Sequence, residues 1–149
     1  MKLVVCADAH LDSVFPAFKN NPGKMKLRQE EQRMAFSKAI NEAKKIDAHI
    51  LMLPGDLFNE GTVTKETIDF LIESFNSIPD TFVIIAPGNN DPVSCNSLYL
   101  STEWPENVYV FSSRELQVFE LDEPCVKVCG YAFEQEEYYG SPLKESCLA

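Results

Sequence analysis

Three short polar motifs carry donor atoms that could hold a divalent cation: Asp8-Ala9-His10, Gly55-Asp56 and Gly88-Asn89-Asn90-Asp91. Carboxylate and imidazole together suit manganese, iron or zinc, and asparagine adds a neutral carbonyl oxygen. An aspartate and a histidine at i and i+2, on a chain leaving a strand, can both turn toward one cation. Taken singly, each motif is equally what caps a helix or closes a turn. Taken together and in order, they point to one site.

The elements that must position these motifs are legible in the apolar pattern. Residues 3–7, 50–53 and 82–86 are apolar on both faces and too short for helices, which predicts strands of a parallel sheet covered on both sides. Between the first two runs, Phe36, Ala39, Ile40, Ala43 and Ile46 recur at helical spacing. Between the second and third, Ile68, Leu71, Ile72, Phe75 and Ile78 do the same after a Thr64 cap. The resulting βαβαβ order calls for right-handed crossovers with helices over the sheet. It also puts each motif at a strand's carboxyl end, the edge where open α/β sheets bind ligands. Glycines at 55 and 88 let the chain turn sharply beside the site. Beyond residue 100 the pattern predicts extended pieces near 108–111, 116–121 and 126–129.

The chain has 149 residues, enough for one ordinary core and short for two. No signal-peptide core and no run long enough to span a bilayer is present, so the expectation is a soluble, cytoplasmic protein that does not meet a membrane. The five cysteines, Cys6, Cys95, Cys125, Cys129 and Cys147, form no CxxC pair and read as reduced structural thiols. A formal charge of −10 opposes simple polyanion binding. It opposes a nuclease less, because carboxylates that hold cations are neutralised once loaded. The basic run 19–28 reads as a solvated loop and helix start.

The three motifs resemble the calcineurin-like metallophosphoesterases, whose signature runs D-x-H, GD-x-x-(D/N/H), GNH(D/E) and a distal G-H-x-H. The phrases AHLDSVF, LPGDLFNEG, PGNNDP and WPENVYVF narrow the likeness to DNA repair exonucleases of SbcD/YhaO type, over the amino-terminal part of that family and to about residue 133. The resemblance implies an α/β fold, the αββα sandwich of that family, with a mostly parallel first sheet, flanking helices and, here, an incomplete second sheet. It implies two divalent ions, manganese by preference, with Asp8 and His10 on one, Asp56 bridging and Asn89 on the other. Asn90 and Asp91 fall at the family's catalytic positions, Asp91 as the carboxylate that orients its neighbour, and Asn59 falls behind the ligands. DNA as substrate, a homodimer formed through the helices after the first two strands, and an SbcC-like ATPase partner are further implications.

Two departures qualify that expectation. The family's histidine at position 90, thought to protonate the leaving group, is Asn90 here, and an amide delivers no proton near neutral pH. The loss of a general acid is worth on the order of 10² to 10⁴ in rate. The distal histidines are also missing: the chain has two in all, His10 and His49. His49 falls at the start of the second strand, away from the site. The sequence therefore predicts a metallophosphoesterase domain over 1–149 that lacks its C-terminal part, weak or inactive alone, with a sheet face left exposed and residues 141–147 as a helix start cut short. The alternative is a non-catalytic module that keeps the fold and a partial metal site. A nucleotide-binding or receiver-like domain lacks a phosphate-cradling glycine loop to support it.

Overall fold

The computed structural model describes residues 1–123 and 125–137; the tail read as a helix start, 141–147, lies outside them. Strands β1 (Leu3–Val5), β2 (Ile50–Pro54), β3 (Phe82–Ala86) and β4 (Val108–Val110) form a parallel sheet in the order β1-β2-β3-β4. Helix α1 (Pro22–Lys45) joins β1 to β2, and α2 (Lys65–Asn76) joins β2 to β3. A sequential parallel order with crossovers of one hand puts successive helices on one face of the sheet. The two helices accordingly touch: the Phe36 ring meets Phe70 and Phe75 edge-on, with centroids 6.1 and 6.3 Å apart.

That helix-covered face holds much of the core. Register aligns Val4, Leu51, Val83 and Val108 across the strands, and Leu51, Leu53, Val83 and Ile85 are buried together with Phe36, Ile40, Leu71 and Phe75. Each such side chain contributes about 1.5–3 kcal/mol by leaving water. The predicted Thr64 cap is present, its hydroxyl accepting from the Thr67 N–H at 3.3 Å. Helix α1 begins well before the apolar stripe. Asn21 accepts from the Lys24 N–H at 3.1 Å and Pro22 takes the first turn, where its missing N–H costs nothing. Most of the basic run is thus the solvated start of α1.

The opposite face is covered in part. Strands β5 (Gln117–Leu121) and β6 (Val126–Gly130) form an antiparallel hairpin. Its Phe119 stacks on Tyr109 at 4.3 Å and meets Phe82 edge-on at 6.1 Å, so the hairpin lies over β3 and β4. Strand β1, expected to be covered on both sides, is not. It is the sheet edge farthest from the hairpin, and Leu3 and Val5 are 43% and 56% exposed. Among the described residues the second sheet consists of this hairpin. A one-turn helix, α3 (Leu98–Ser101), breaks the extended texture just before β4, and Ser97 caps it by accepting the Tyr99 N–H at 3.2 Å. Cys6, Cys95, Cys125 and Cys129 are free thiols. Among the described residues no helix is long and apolar enough to cross a membrane.

Candidate metal centre

The loops leaving β1 and β2 continue to pair after the strands end. The Asp8 N–H donates to the Gly55 carbonyl at 3.2 Å, the His10 N–H to Asp56 at 2.9 Å, and the Leu11 N–H to Leu57 at 3.0 Å. This ladder closes in a parallel bridge between Leu11 and Phe58, both wholly buried. It holds Asp8, His10 and Asp56 at φ of 52°, 45° and 49°, the left-handed region that side chains with a Cβ disfavour. Gly55, at φ 79°, turns the chain into Asp56 without that strain. Backbone strain of this kind persists only where its surroundings over-determine it, and it gathers at functional sites.

The result brings three of the predicted ligands together. Asp8, His10 and Asp56 each offer a donor atom within 4.8 Å of the others. His10 is oriented by Asn59, whose side-chain oxygen lies 3.1 Å from Nδ1 and also accepts the Ser13 hydroxyl at 2.9 Å. An oxygen partner makes Nδ1 the protonated nitrogen and leaves Nε2 with its lone pair. Nε2 faces Asp56 Oδ2 at 3.6 Å, beyond hydrogen-bond range. Two lone pairs pointing at one gap is an arrangement that a shared cation satisfies, and ligands about 2.1 Å from one ion stand roughly 3–3.5 Å apart. The donor set therefore fits a divalent ion. Asn59 takes the place of the carboxylate or carbonyl that commonly holds a metal-binding histidine from behind.

Asp56 is itself held by the third motif. The Asn90 N–H and its side-chain amide donate to Asp56 Oδ1 and Oδ2 at 3.0 and 2.9 Å. A Cβ on residue 88 would stand 2.2 Å from Asp56 Oδ1, so glycine is required there by close approach. Asn89 stands exposed beside the centre, on a cleft of about 240 Å³ lined also by Asn59, Glu60, Thr62 and Glu136.

Asp91 lies behind the motif and is fully buried. Its Oδ2 accepts the Leu57 N–H at 2.7 Å, the Phe58 N–H at 3.3 Å and the Tyr99 hydroxyl at 2.6 Å, while Oδ1 accepts the Gly88 N–H at 2.7 Å. These contacts staple the loop after β2 to the loop after β3. Burial pushes the Asp91 carboxyl above its ordinary value, and the hydrogen bonds from Tyr99, Gly88, Phe58 and Leu57 pull it back only in part. Burial raises the Tyr99 hydroxyl well above its own usual value, and the Asp91 charge adds to this, so Tyr99 remains a donor.

Asp12 is a residue that sequence reasoning missed. It is 2% exposed and accepts the N–H and hydroxyl of Thr64, the Thr67 hydroxyl, and the Arg33 guanidinium at 3.1 Å. It thereby ties the Asp8–His10 loop to the start of α2 and to α1. Its only sequence signal was its place in the phrase AHLDSVF. His49 is where it was expected, at the foot of β2, with Nδ1 accepting the Lys2 N–H at 3.1 Å.

A fold with a parallel sheet, and donors gathered at its carboxyl edge, matches one known family over nearly the whole chain. The model of the calcineurin-like phosphoesterases covers residues 1–139, and the chain belongs to this family. It is 27% identical over 140 residues to the uncharacterized metallophosphoesterase YhaO of Bacillus subtilis (strain 168), a match that takes in 90% of this chain and 34% of that protein. The chain thus spans about a third of the length of that relative.

Proposed function

We propose that this chain carries the cation-binding first half of a phosphodiesterase of DNA exonuclease type, with part of a centre for two divalent ions and manganese a good match to its donors. The observation that supports this most is the gap between His10 Nε2 and Asp56 Oδ2, flanked by Asp8. A cation held there would polarise a phosphoryl oxygen and make water a nucleophile at neutral pH. The chain's own groups divide the remaining work. Asn59 keeps Nδ1 of His10 protonated and Nε2 free to bind. Asn90 can donate a hydrogen bond to a phosphate oxygen but has no proton to give a leaving group. Asp91 cannot stand in, since Leu57, Phe58, Gly88 and Tyr99 already engage its oxygens. The second ion has only Asp56 and Asn89 among the described residues, so full activity needs further donors. DNA as substrate, a homodimer and an SbcC-like ATPase partner belong to the same reading.

The test compares two esters with manganese. Bis-p-nitrophenyl phosphate loses a leaving group that departs without a proton, whereas a dinucleotide does not. The wild-type chain is expected to cleave the first slowly and the second not measurably. Asn90→His is expected to raise dinucleotide cleavage by about 10² to 10⁴ over the wild-type background, and Asp56→Asn to abolish both activities. A second reading, a non-catalytic module that keeps the fold and a partial metal site, is favoured by Asn90, an amide standing where a proton donor would be needed. It prevails if neither the wild-type chain nor Asn90→His shows manganese-dependent cleavage of either ester.

A further inference from the structure

Asp56 is the ligand on which a second cation would depend, and its oxygens are already engaged. Oδ1 accepts the Asn90 N–H at 3.0 Å, and Oδ2 accepts the Asn90 amide at 2.9 Å. Oδ1 is also pressed against Gly88, close enough that a Cβ there would lie 2.2 Å away. A carboxylate oxygen has room for about two partners. What remains open on Asp56 is the side of Oδ2 that faces His10 Nε2. The backbone that carries this amide is fixed: the Asn90 carbonyl accepts the Glu60 N–H at 3.0 Å, and its neighbour Asp91 anchors the same loop.

Resting on the phosphoesterase reading above, we propose that the Asn90 side-chain amide occupies the place of the second cation, so that this chain's centre holds a single ion on Asp8, His10 and Asp56. The amide N–H carries a partial positive charge toward the carboxylate. It offsets part of the Asp56 charge without acting as a Lewis acid. Asn90 is thus a positioning residue. It fixes Asp56 for the first ion and excludes the second, which leaves a centre that binds phosphate esters better than it turns them over.

The experiment is a manganese titration by calorimetry on the full chain, with electron paramagnetic resonance spectra of the same samples, for wild type, Asn90→Asp and Asn90→Ala. Wild type is expected to bind one ion with the spectrum of an isolated ion. Asn90→Asp, which exchanges a donor for a ligand of nearly the same shape, is expected to gain a second ion and the spectrum of a coupled pair. Asn90→Ala is expected to bind one ion about tenfold more weakly, the usual scale for losing a group that holds a metal ligand in place. Two ions on wild type, Asn90→Asp remaining at one ion with wild-type affinity, or Asn90→Ala with unchanged affinity each overturn the latch and leave the phosphoesterase reading standing. No ion on wild type overturns both.

Discussion

At pH 7 the Asp12 carboxylate is held ionised in a buried place. Burial pulls its pKa upward, but the hydrogen bonds from Thr67 and Thr64 and the Arg33 charge outweigh it and hold the group below its ordinary 3.8. A lowered folded-state pKa means that the stability Asp12 adds is fully present above 3.8 and is lost as pH falls through the folded value. Asp12→Asn is expected to cost about 2–3 kcal/mol at pH 7, with the gap between the two chains narrowing below about pH 4. Urea unfolding at pH 7 and pH 3 reads this, and a gap that does not narrow would deny the carboxylate its role. Asp12 was invisible in the sequence because its partners Arg33, Thr64 and Thr67 lie 21, 52 and 55 positions away. Asp8, His10 and Asp56 were legible because each stands just past an apolar run that reads as a strand. The tautomer-setting contact of Asn59 was not, since motif spacing carries no side-chain direction.

At the scale of elements, the staple made by Asp91 and Tyr99 joins the loops after β2 and β3 to α3. Tyr99→Phe keeps the ring that stacks on Phe58 at 4.9 Å and removes only the hydroxyl. It is expected to cost about 1.5–3 kcal/mol in urea unfolding, the range for a hydrogen bond to a charged group. A cost within error of zero would mean that the three backbone donors suffice. Helices α1 and α2 were legible through Phe36, Ile40 and Ala43 and through Ile68, Leu71 and Phe75, whose spacing reflects the burial they achieve. The start of α1 was legible only as a helix start somewhere in 19–28, because Asn21 and Pro22 set it by capping while the residues that follow are mostly exposed and carry no apolar stripe. Helix α3 escaped notice because one turn leaves no periodicity to read. For β1, an apolar run suggested two covered faces. Coverage depends on strand order and on where the hairpin lands, neither of which a single run encodes.

At the scale of the whole molecule, Leu3 and Val5 leave an apolar strip on the face that the hairpin only partly covers. The charge of −10 opposes close approach of two copies but is screened within about 10 Å at 0.1 M salt. Wild type is therefore expected to self-associate as salt rises. Val5→Lys is expected to remain monomeric at matched concentration, with stability within about 0.5 kcal/mol of wild type. Sedimentation velocity across a salt series decides, and a wild-type chain that stays monomeric throughout would show the strip to be too small to drive association.

The paired ladder that runs on from β1 and β2 bears on how the chain can change over generations. Val5 pairs with Met52, and six positions later on each strand Leu11 pairs with Phe58. The two intervening segments, 6–10 and 53–57, are equal in length, and each sets the register of the other. An insertion or deletion in one, unmatched in its partner, would slide Asp8 and His10 past Asp56 while leaving every side chain chemically intact. The centre can therefore drift by substitution far more readily than by a change of loop length.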